Sequence, residues 1–346
     1  MTHLAICCDV GPEHRSERLL RCLGLAEELA TRGATVAFVC DATKSEWAKM
    51  QLLARGIEWT PPESTPDEFV GLLRRLKADA AVFDSQTLAG DVCVAVRKGG
   101  LPTLAVVDGP AEDAVADVVV APGVEADEPR TASRNGATVL VGLDYAPMRN
   151  DVLANRPVSP PRRDGVEVPR VMAVFDDEDT APGAAAVARA LAETGRAFEA
   201  TFVVTDPEAQ EAVSAVRPAP RQQFSVTTPT WRLYDLLARS DVVLGAADRT
   251  AYDWLCMGAS VGLVWVSEDQ VERYRRLMVR RAVVGLGSAE DLAKGSVSGV
   301  EKMTRLLSDG RERTRLAEAG WRLVDGLGRA RIADALLGLL DSGRDG

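Results

Sequence analysis

The chain has 346 residues, more than one hydrophobic core usually holds, so its length favours two domains of ordinary size. With 46% hydrophobic and 27% charged residues, the composition is that of a globular protein and excludes wholesale disorder. The formal net charge is -10 and the basic residues are interspersed with acidic ones, which excludes nucleic acid as the expected partner.

No apolar run approaches the roughly 20 residues that cross a bilayer. The first ten residues, MTHLAICCDV, lack the basic and apolar regions of a signal peptide, so we expect a cytoplasmic protein without a membrane span. The six cysteines form no C-x-x-C pair and lie in apolar or helical segments. This pattern predicts reduced, buried thiols rather than disulfides or a zinc site.

Short runs of β-forming residues alternate with longer stretches of helical period in residues 1–154. This alternation predicts a parallel sheet covered by helices on both faces, as in a Rossmann-like domain. A helix is predicted over residues 16–32, where leucines and alanines recur on one face and Gly33 ends the pattern. The predicted strands are residues 3–8, 34–40, 80–84, 103–108, 118–121 and 138–141.

Residues 155–169 are rich in proline and charge, which suits neither a helix nor a central strand, so they are interpreted as a linker. A second Rossmann-like domain is predicted over residues 170–329, and a last helix in residues 330–346 could cross back onto the first domain. Its predicted strands are residues 171–175, 199–205, 223–226, 241–244 and 260–266. The predicted helices are residues 181–194, 231–239, 250–257, 300–309, 311–324 and 330–340.

Several runs of sequence together resemble one family. In the first half they are residues 21–29 (RCLGLAEEL), 32–34 (RGA), 83–85 (FDS), 107–108 (VD), 117–119 (DVV) and 142–146 (GLDYA), with Arg149. In the second half they are residues 241–247 (DVVLGAA), 250–253 (TAYD), 268–270 (EDQ) and 323–326 (LVDG). In order and spacing these runs resemble the PseG/SpsG-like family, the UDP-sugar hydrolases of pseudaminic-acid biosynthesis and spore-coat polysaccharide proteins.

The resemblance implies membership of the GT-B glycosyltransferase superfamily. The expected fold class is therefore α/β, with two Rossmann-like domains and a ligand cleft between them. In this family the N-terminal domain carries the acceptor and catalytic groups, and the C-terminal domain binds the nucleotide sugar. Function still has to be argued from the site, because one fold hosts many activities.

The sequence departs from the family at its three glycine-rich loops. The family's G-x-G-H loop, whose histidine is the base, falls on residues 15–18 (RSER), so both glycines and the histidine are replaced. The G-G-S-D loop falls on residues 176–179 (DDED), and the G-S-T-A loop falls on residues 248–251 (DRTA). These are the loops that bind substrate in the family.

Four consecutive acids oppose a bound phosphate, because each would repel it by roughly 4 kcal/mol at 4 Å and an effective dielectric constant near 20. Their side chains could point into solvent, or the ligand could lack a diphosphate. No cofactor is required by the resemblance, but a third possibility is that Mg²⁺ bridges Asp176, Asp177 and Asp179 to the phosphate.

His14 lies four residues before the lost family base, and a rearranged loop would return its imidazole to the cleft. With an ordinary pKa near 6.5 it could remove a proton at neutral pH. A solvated loop histidine explains it equally well. Glu13 and Glu17 are alternative bases, although acids at a helix start often interact only with the helix dipole.

Arg15, Arg18 and Arg21 recur every three residues and so lie along one side of the first helical turns. Cations there oppose the helix dipole, which favours an anion among them, such as a phosphate or a sugar carboxylate. The competing interpretation is that they pair with Glu13, Glu17 and other acids.

Further substrate contacts are expected where the family motifs match. Residues 268–270 follow the carboxyl end of a strand, where parallel sheets bind ligands, although a solvated loop would be equally polar. Asp253 could accept hydrogen bonds from sugar hydroxyls. The residues predicted to contact substrate are Asp84, Tyr145, Arg249, Thr250, Ala251, Asp253, Glu268, Asp269 and Gln270.

The leading hypothesis is a GT-B glycosyltransferase that moves a sugar from a UDP-sugar to a small acceptor, in natural-product or nucleoside biosynthesis. If the transferred sugar were a uronic acid, Arg15, Arg18 and Arg21 could bind its carboxylate. Loss of the family histidine favours transfer over hydrolysis. The alternatives are a UDP-sugar hydrolase that uses His14, and a binding or regulatory protein that has lost turnover.

Overall fold

The structure is a computed structural model, and it describes residues 2–11, 17–86, 88, 90–108, 114–126, 136–176, 180–230 and 233–342. The chain divides into two compact units. Unit 1 comprises Met1–Asn150 and Gly326–Gly346, and unit 2 comprises Asp151–Asp325. The last segment of the chain therefore belongs to the same unit as the first.

Seven strands form the sheet of unit 1, and all neighbouring strands are parallel. They are β1 (His3–Cys8), β2 (Thr35–Val39), β3 (Glu58–Thr60), β4 (Ala80–Asp84), β5 (Thr103–Val106), β6 (Val118–Ala121) and β7 (Thr138–Val141). Their spatial order is β3-β2-β1-β4-β5-β6-β7, so the strand order reverses between β1 and β4.

Helices cover both faces of this sheet, which explains why its central strands are continuous apolar runs. The helices that precede residue 150 are α1 (Glu17–Thr31), α2 (Glu46–Ala54), α3 (Pro66–Arg75) and α4 (Gly90–Lys98). Successive residues of β1 point to opposite faces, so Leu4 packs with α1 while Ala5 packs with α3 and α4. After α1, Gly33 adopts a φ of 80°, the left-handed conformation that glycine adopts most readily.

Unit 2 repeats the plan with six parallel strands in the order β10-β9-β8-β11-β12-β13, and the order reverses between β8 and β11. The strands are β8 (Arg170–Phe175), β9 (Phe198–Val204), β10 (Gln222–Thr227), β11 (Val242–Ala246), β12 (Val261–Trp265) and β13 (Val283–Ser288). The helices of unit 2 are α5 (Asn150–Ala154), which starts at the boundary between the units, α6 (Ala181–Glu193), α7 (Pro207–Ser214), α8 (Leu233–Ala238), α9 (Thr250–Cys256), α10 (Val271–Val279), α11 (Ala289–Ala293), α12 (Val297–Ser308) and α13 (Gly310–Leu323). The last helix, α14 (Gly328–Ser342), belongs to unit 1.

Helix α14 packs against α1 within unit 1. Ile332 lies in the same apolar cluster as the inner residues of α1. Arg329 is 9% exposed, and its Nε atom lies 3.1 Å from a carboxylate oxygen of Glu28. The first residue of α14, Gly328, packs directly against the backbone of Ala146: a Cβ at this position would lie 2.3 Å from the Ala146 carbonyl oxygen. Glycine is therefore required at this close approach.

Arg313 fastens the predicted linker to unit 2. It is only 1% exposed, and its Nη1 atom donates to the carbonyl oxygens of Leu306 and Leu307 at 2.8 and 2.9 Å. Its Nη2 atom donates to the carbonyl oxygens of Arg163 and Val166 at 3.1 and 3.3 Å. Burial lowers the pKa of Arg313, although the carboxylate of Asp241 acts in the opposite direction. One guanidinium thus caps the end of α12 and holds the linker backbone.

The boundaries of the predicted strands lie within a few residues of the observed ones. The sequence analysis left out two edge strands, β3 and β13. β3 has three residues and precedes Pro61, while β13 (VVGLGS) contains two glycines, which weaken a strand pattern. Five of the six cysteines are buried and Cys93 is half-buried. Among helices of the described residues, none combines the length and apolarity needed to cross a bilayer.

Candidate functional site

Open parallel sheets bind ligands at the carboxyl ends of their strands, particularly where the strand order reverses. In unit 1 this position lies between β1 and β4, and in unit 2 it lies between β8 and β11. Each unit therefore has its own candidate site, formed by the residues that follow these strands.

A guanidinium from the second turn of α1 organises the edge of unit 1. The Nε and Nη2 atoms of Arg21 both donate to the carboxylate of Asp84, the last residue of β4. Its Nη1 atom donates to Asp108, which follows β5. The thiol of Cys22 lies 3.4 Å from the Asp84 carboxylate and donates to it. Asp84 is fully buried and Arg21 is 7% exposed, so this ion pair belongs to the interior.

Arg18 extends this network toward β1. Its Nη2 atom donates to Asp108 at 2.8 Å, and its Nη1 atom donates to Asp9 at 3.4 Å. Asp9, directly after β1, also accepts from the Ser85 hydroxyl and from the backbone N–H of Gln86, both at 2.5 Å. Aspartates and arginines therefore alternate across the ends of β1, β4 and β5.

The charges of this network stabilise one another. Burial acts to lower the pKa of Arg21, but the carboxylates of Asp84 and Asp108 outweigh it and hold the pKa well above its ordinary value. Arg21 is therefore a permanent cation. The Asp108 side chain is 28% exposed, against 4% for Asp9 and 1% for Asp84, so it is the most accessible of the three carboxylates.

In unit 2, a turn closed by Asp248 leads from β11 into α9. Its Oδ1 atom accepts from the backbone N–H of Thr250 at 2.9 Å and from the Thr250 hydroxyl. Ala251, next in the helix, is fully buried. Asp253 is 8% exposed and accepts a hydrogen bond of 2.8 Å from the Tyr234 hydroxyl. Asp248 thus takes the place of an external anion at this helix start.

Gln270 lies in the short 3₁₀ turn Glu268–Gln270 that follows β12. The residue is fully buried, and its Oε1 atom accepts from the backbone N–H of Val266 at 2.8 Å. Its Nε2 atom is buried and has no hydrogen-bond partner among the described residues. Because an unsatisfied buried donor costs about 1–3 kcal/mol, we expect a partner from outside the chain, such as a ligand or a water.

The first turn of α6 lies beside the backbone that binds Gln270. A Cβ at Gly183, in that turn, would lie 3.2 Å from Cγ2 of Val266 and 2.6 Å from the Phe175 ring, so only glycine fits. Helix α6 has 13 residues, and its N-cap residue Thr180 makes no side-chain capping bond. Pro182 has no N–H, and the N–H of Gly183 donates to the carbonyl oxygen of Thr180 at 2.9 Å, so neither residue offers a backbone donor to an anion.

No protein-family model and no curated protein matches the chain, but solved structures match it over almost its whole length. MurG of Acinetobacter baumannii is 14% identical, with a TM-score of 0.73 over 98% of this chain and 100% of that one. The glycosyltransferase VinC, in complex with dTDP, is 13% identical, with a TM-score of 0.65 over 98% and 100%. The UDP-GlcNAc 2-epimerase of Neisseria meningitidis, bound to UDP-GlcNAc, is 12% identical, with a TM-score of 0.59 over 97% and 100%.

The chain has the GT-B fold. At these identities the likeness establishes the fold alone, because transferases and an epimerase share it. The expected GT-B architecture is confirmed. The finer resemblance to the PseG/SpsG-like family stays a prediction.

Within the GT-B fold, the described members of the predicted anion site contact acids. Arg18 and Arg21 donate to Asp9, Asp84 and Asp108. The geometry therefore fits the competing interpretation of pairing with acids, with aspartates from three strand ends as the partners. These carboxylates come from distant parts of the sequence, which the spacing of the arginines along one helix could not reveal.

Several predicted residues lie outside the described part of the chain, namely Glu13, His14, Arg15, Asp177 and Asp179. Glu17 is the first residue of α1 and is half-buried. The roles predicted for these six residues stay predictions.

Asp176 is the described member of the predicted magnesium site. Its carbonyl oxygen accepts from the Thr205 hydroxyl at 2.6 Å. In the described ranges, no three His, Cys, Asp or Glu side chains converge in a way that could hold a metal ion. The magnesium site stays a prediction.

The remaining predicted contacts occupy varied surroundings. Tyr145 is half-buried and packs against the apolar cluster of unit 1. Arg249 is half-buried at the N-cap of α9. Glu268 and Asp269 are exposed beside Gln270, and Asp269 accepts from the Ser267 hydroxyl at 2.5 Å. A substrate role for each stays a prediction.

The sequence analysis missed three polar residues that the structure brings to these edges, Asp9, Asp108 and Tyr234. A signal for the two aspartates was present, because each closely follows a buried strand. Carboxyl ends of neighbouring parallel strands meet at one edge of the sheet. Tyr234 left no such signal, since its contact with Asp253 depends on how α8 and α9 pack.

Proposed function

We propose that this GT-B chain is a glycosyltransferase that moves a sugar from a UDP-sugar to a small acceptor. The observation that carries the proposal is the unsatisfied Gln270 amide, in the turn after β12. This amide offers a buried side-chain donor at the carboxyl edge of unit 2, where a sugar diphosphate requires donors. VinC with dTDP and the epimerase with UDP-GlcNAc support a nucleotide ligand.

In this proposal, unit 2 binds the donor. The Gln270 Nε2 atom donates to a diphosphate or sugar oxygen, which removes the cost of the unsatisfied donor. Asp253, whose orientation is fixed by the Tyr234 hydroxyl, accepts from a hydroxyl of the donor. Asp248 is already engaged with Thr250, so we assign no phosphate contact to the short helix α9.

Unit 1 binds the acceptor in this proposal. Asp108 is the accessible carboxylate of its edge, and hydrogen bonds from Arg18 and Arg21 fix its position. It therefore accepts a hydrogen bond from an acceptor hydroxyl and orients it. A carboxylate bound by two guanidinium groups is a weak base, so another group must take the proton, and His14 is our candidate from the sequence.

Two features favour one version of this activity over the others. The absence of the family's histidine at residues 15–18 favours transfer to an acceptor over hydrolysis. The hypothesis that the transferred sugar is a uronic acid loses its main support, because Arg18 and Arg21 already bind carboxylates of the protein. We therefore expect a neutral sugar to be transferred at least as well as an acidic one.

The decisive experiment incubates the protein with a panel of UDP-sugars and dTDP-sugars and measures nucleotide release with and without small acceptors. We expect UDP release that depends on an acceptor, together with a glycosylated product in the mass spectrum. UDP release without an acceptor would instead establish hydrolysis, and a changed sugar still attached to UDP would establish epimerisation. If calorimetry detects neither UDP nor dTDP binding, with or without Mg²⁺, the chain is not an enzyme of nucleotide sugars.

A matched pair of glutamine variants tests whether the unsatisfied Gln270 amide binds the donor. Gln270→Met removes the unsatisfied donor, and we expect it to weaken UDP-sugar binding about tenfold, the value of one good hydrogen bond to a charged group. Gln222→Met is the control, because Gln222 is also buried in unit 2 but its amide donates to Ala192 at 3.1 Å and accepts from Ala219. The control should lose stability and keep its affinity for the donor.

A further inference from the structure

Strand β10 lies at an edge of the unit 2 sheet, where it pairs with β9 on one side only. Natural edge strands are commonly very short, or carry a proline, a charge or a bulge, because their outward N–H and carbonyl groups could otherwise pair with another chain. β10 (QQFSVT) has six residues and contains neither proline nor a charged residue, and its register with β9 is regular. Its edge is therefore unprotected.

The other edge strands among those that the structure describes are each shorter or interrupted. β3 has three residues and is followed by Pro61 and Pro62, and β7 has four residues. β13 has six residues, but its pairing with β12 shifts register between Leu263 and Val264. β10 is therefore the described edge best suited to accept a further strand.

Alternate residues of β10 direct their backbone groups away from β9. The N–H of Phe198, which is paired with Gln222, donates to the carbonyl oxygen of Arg221 at 3.2 Å. In a parallel ladder this register directs the N–H and carbonyl groups of Phe224 and Val226 outward. Within the part of the chain that the structure describes, these outward groups have no hydrogen-bond partner. The edge thus offers a row of donors and acceptors.

The side chains of β10 also suit an added strand. Phe224 and Val226 are half-buried against the apolar cluster of unit 2, so a neighbouring strand would cover more of their surface. On the opposite face, Gln223 and Ser225 are exposed and uncharged. A second strand of the same sequence therefore meets no like charge along β10.

We propose that β10 pairs in antiparallel orientation with β10 of a second copy of this chain, about a two-fold axis between their Phe224 residues. Such an axis brings the same surface of both copies together. The two Phe224 residues then exchange both backbone hydrogen bonds, and each Val226 N–H donates to the Gln222 carbonyl of the other copy. The N–H of Gln222 is not needed, because it donates to the Ala219 carbonyl at 3.1 Å within its own chain.

Charges beside β10 favour a second copy as the partner. Arg217 and Arg221 are exposed before the amino end of β10. Glu208 and Glu211 are exposed on α7, which packs against β10 and starts after the carboxyl end of β9. Antiparallel pairing places the amino end of each β10 beside the carboxyl end of the other, so arginines of one copy approach acids of the other. A peptide of one charge would match only one end.

The β10 edge is separate from the candidate donor site. Gln270 follows β12, and three strands, β9, β8 and β11, lie between β10 and β12 in the sheet. Dimerisation at β10 therefore does not depend on the proposed activity, and we expect it to leave donor binding unchanged.

The test is sedimentation equilibrium of the full chain over a range of concentrations, combined with hydrogen exchange at the Phe224 and Val226 amides. We expect a dimer that forms with rising concentration and protects both amides, because their acceptors lie in the other copy. A monomer at every concentration would overturn the proposal. A dimer in which both amides still exchange fast would also overturn it, since the copies would then meet at another surface.

A matched pair of double variants tests the register. The proposed axis places Gln223 of one copy opposite Ser225 of the other, so Gln223→Lys with Ser225→Lys opposes like charges and should weaken dimerisation at least about tenfold. Gln223→Lys with Ser225→Glu changes the same positions but sets opposite charges across the axis, so it should keep the dimer. Thermal unfolding checks that both variants fold. Equal dimerisation of the two folded variants would overturn the proposal.

Discussion

The buried pair of Arg21 and Asp84 allows a quantitative prediction for Arg21→Met. Methionine fills similar space but leaves the fully buried Asp84 carboxylate with the Cys22 thiol, a weak donor at 3.4 Å. Removing one partner of a buried ion pair costs about 3–5 kcal/mol, because the other charge remains uncompensated in the interior. With a urea dependence of about 2 kcal/mol per molar, the unfolding midpoint of unit 1 should fall by about 2 M.

Urea unfolding with hydrogen exchange in peptides of unit 1 measures this shift, because two-domain chains often unfold in separate steps. The control is Arg75→Met, which removes a pair with Glu63 in which the two side chains are 62% and 37% exposed. Screening by solvent limits its loss to less than about 1 kcal/mol. Adding Asp84→Leu to Arg21→Met should recover part of the lost stability, since the buried charge is then gone.

The reasoning fails if Arg21→Met shifts the midpoint no more than Arg75→Met does. It also fails if Asp84→Leu lowers the stability of Arg21→Met further. Either result would mean that Asp84 finds other partners or water, so that its charge is not isolated by burial.

Three further predictions concern stability and reactivity. Gly328→Ala should destabilise unit 1 by about 1–3 kcal/mol, because the added Cβ would meet the backbone of Ala146. Gly338→Ala places its Cβ in open space on the same helix, so it should stabilise the helix by about 0.5–1 kcal/mol. Equal effects of the two substitutions on thermal unfolding would contradict this prediction. Arg313→Met should lower the free energy of unfolding of unit 2 by about 3 kcal/mol, because several buried carbonyl groups lose their donor. An unchanged midpoint in urea unfolding would contradict this prediction. Burial raises the pKa of Cys93 to about 11, so at pH 8 its thiolate fraction is about 100-fold below that of a cysteine at its ordinary pKa. Alkylation of Cys93, measured by mass spectrometry, should therefore be slow at pH 8, and its rate should rise toward pH 11. Fast labelling at pH 8 would refute this prediction.

The fold could be predicted from the sequence because its signals are local. β1 and β4 are uninterrupted apolar runs, and the helix after β1 has a clear apolar face that ends at Gly33. Such patterns specify a parallel sheet without knowledge of distant contacts. The edge strands β3 and β13 were not predicted, because β3 is very short and β13 contains two glycines.

The candidate site could be predicted only in part, because its contacts join distant residues. The spacing of Arg18 and Arg21 indicated one helix face but could not show that Asp108 lies against both. Likewise, the polarity of Gln270 was visible in the sequence, whereas its unsatisfied amide depends on how the turn after β12 packs.

The docking of α14 onto α1 determines how the protein can be dissected. The polypeptide leaves unit 1 after Asn150 and re-enters it at Gly326, so unit 2 is a contiguous stretch and unit 1 is not. A truncation that ends at residue 150 would uncover the α1 surface that Ile332 and Leu336 shield, and such bare apolar surface promotes aggregation. Recombinant production of unit 1 alone therefore calls for splicing residues 150 and 326 together through a flexible peptide.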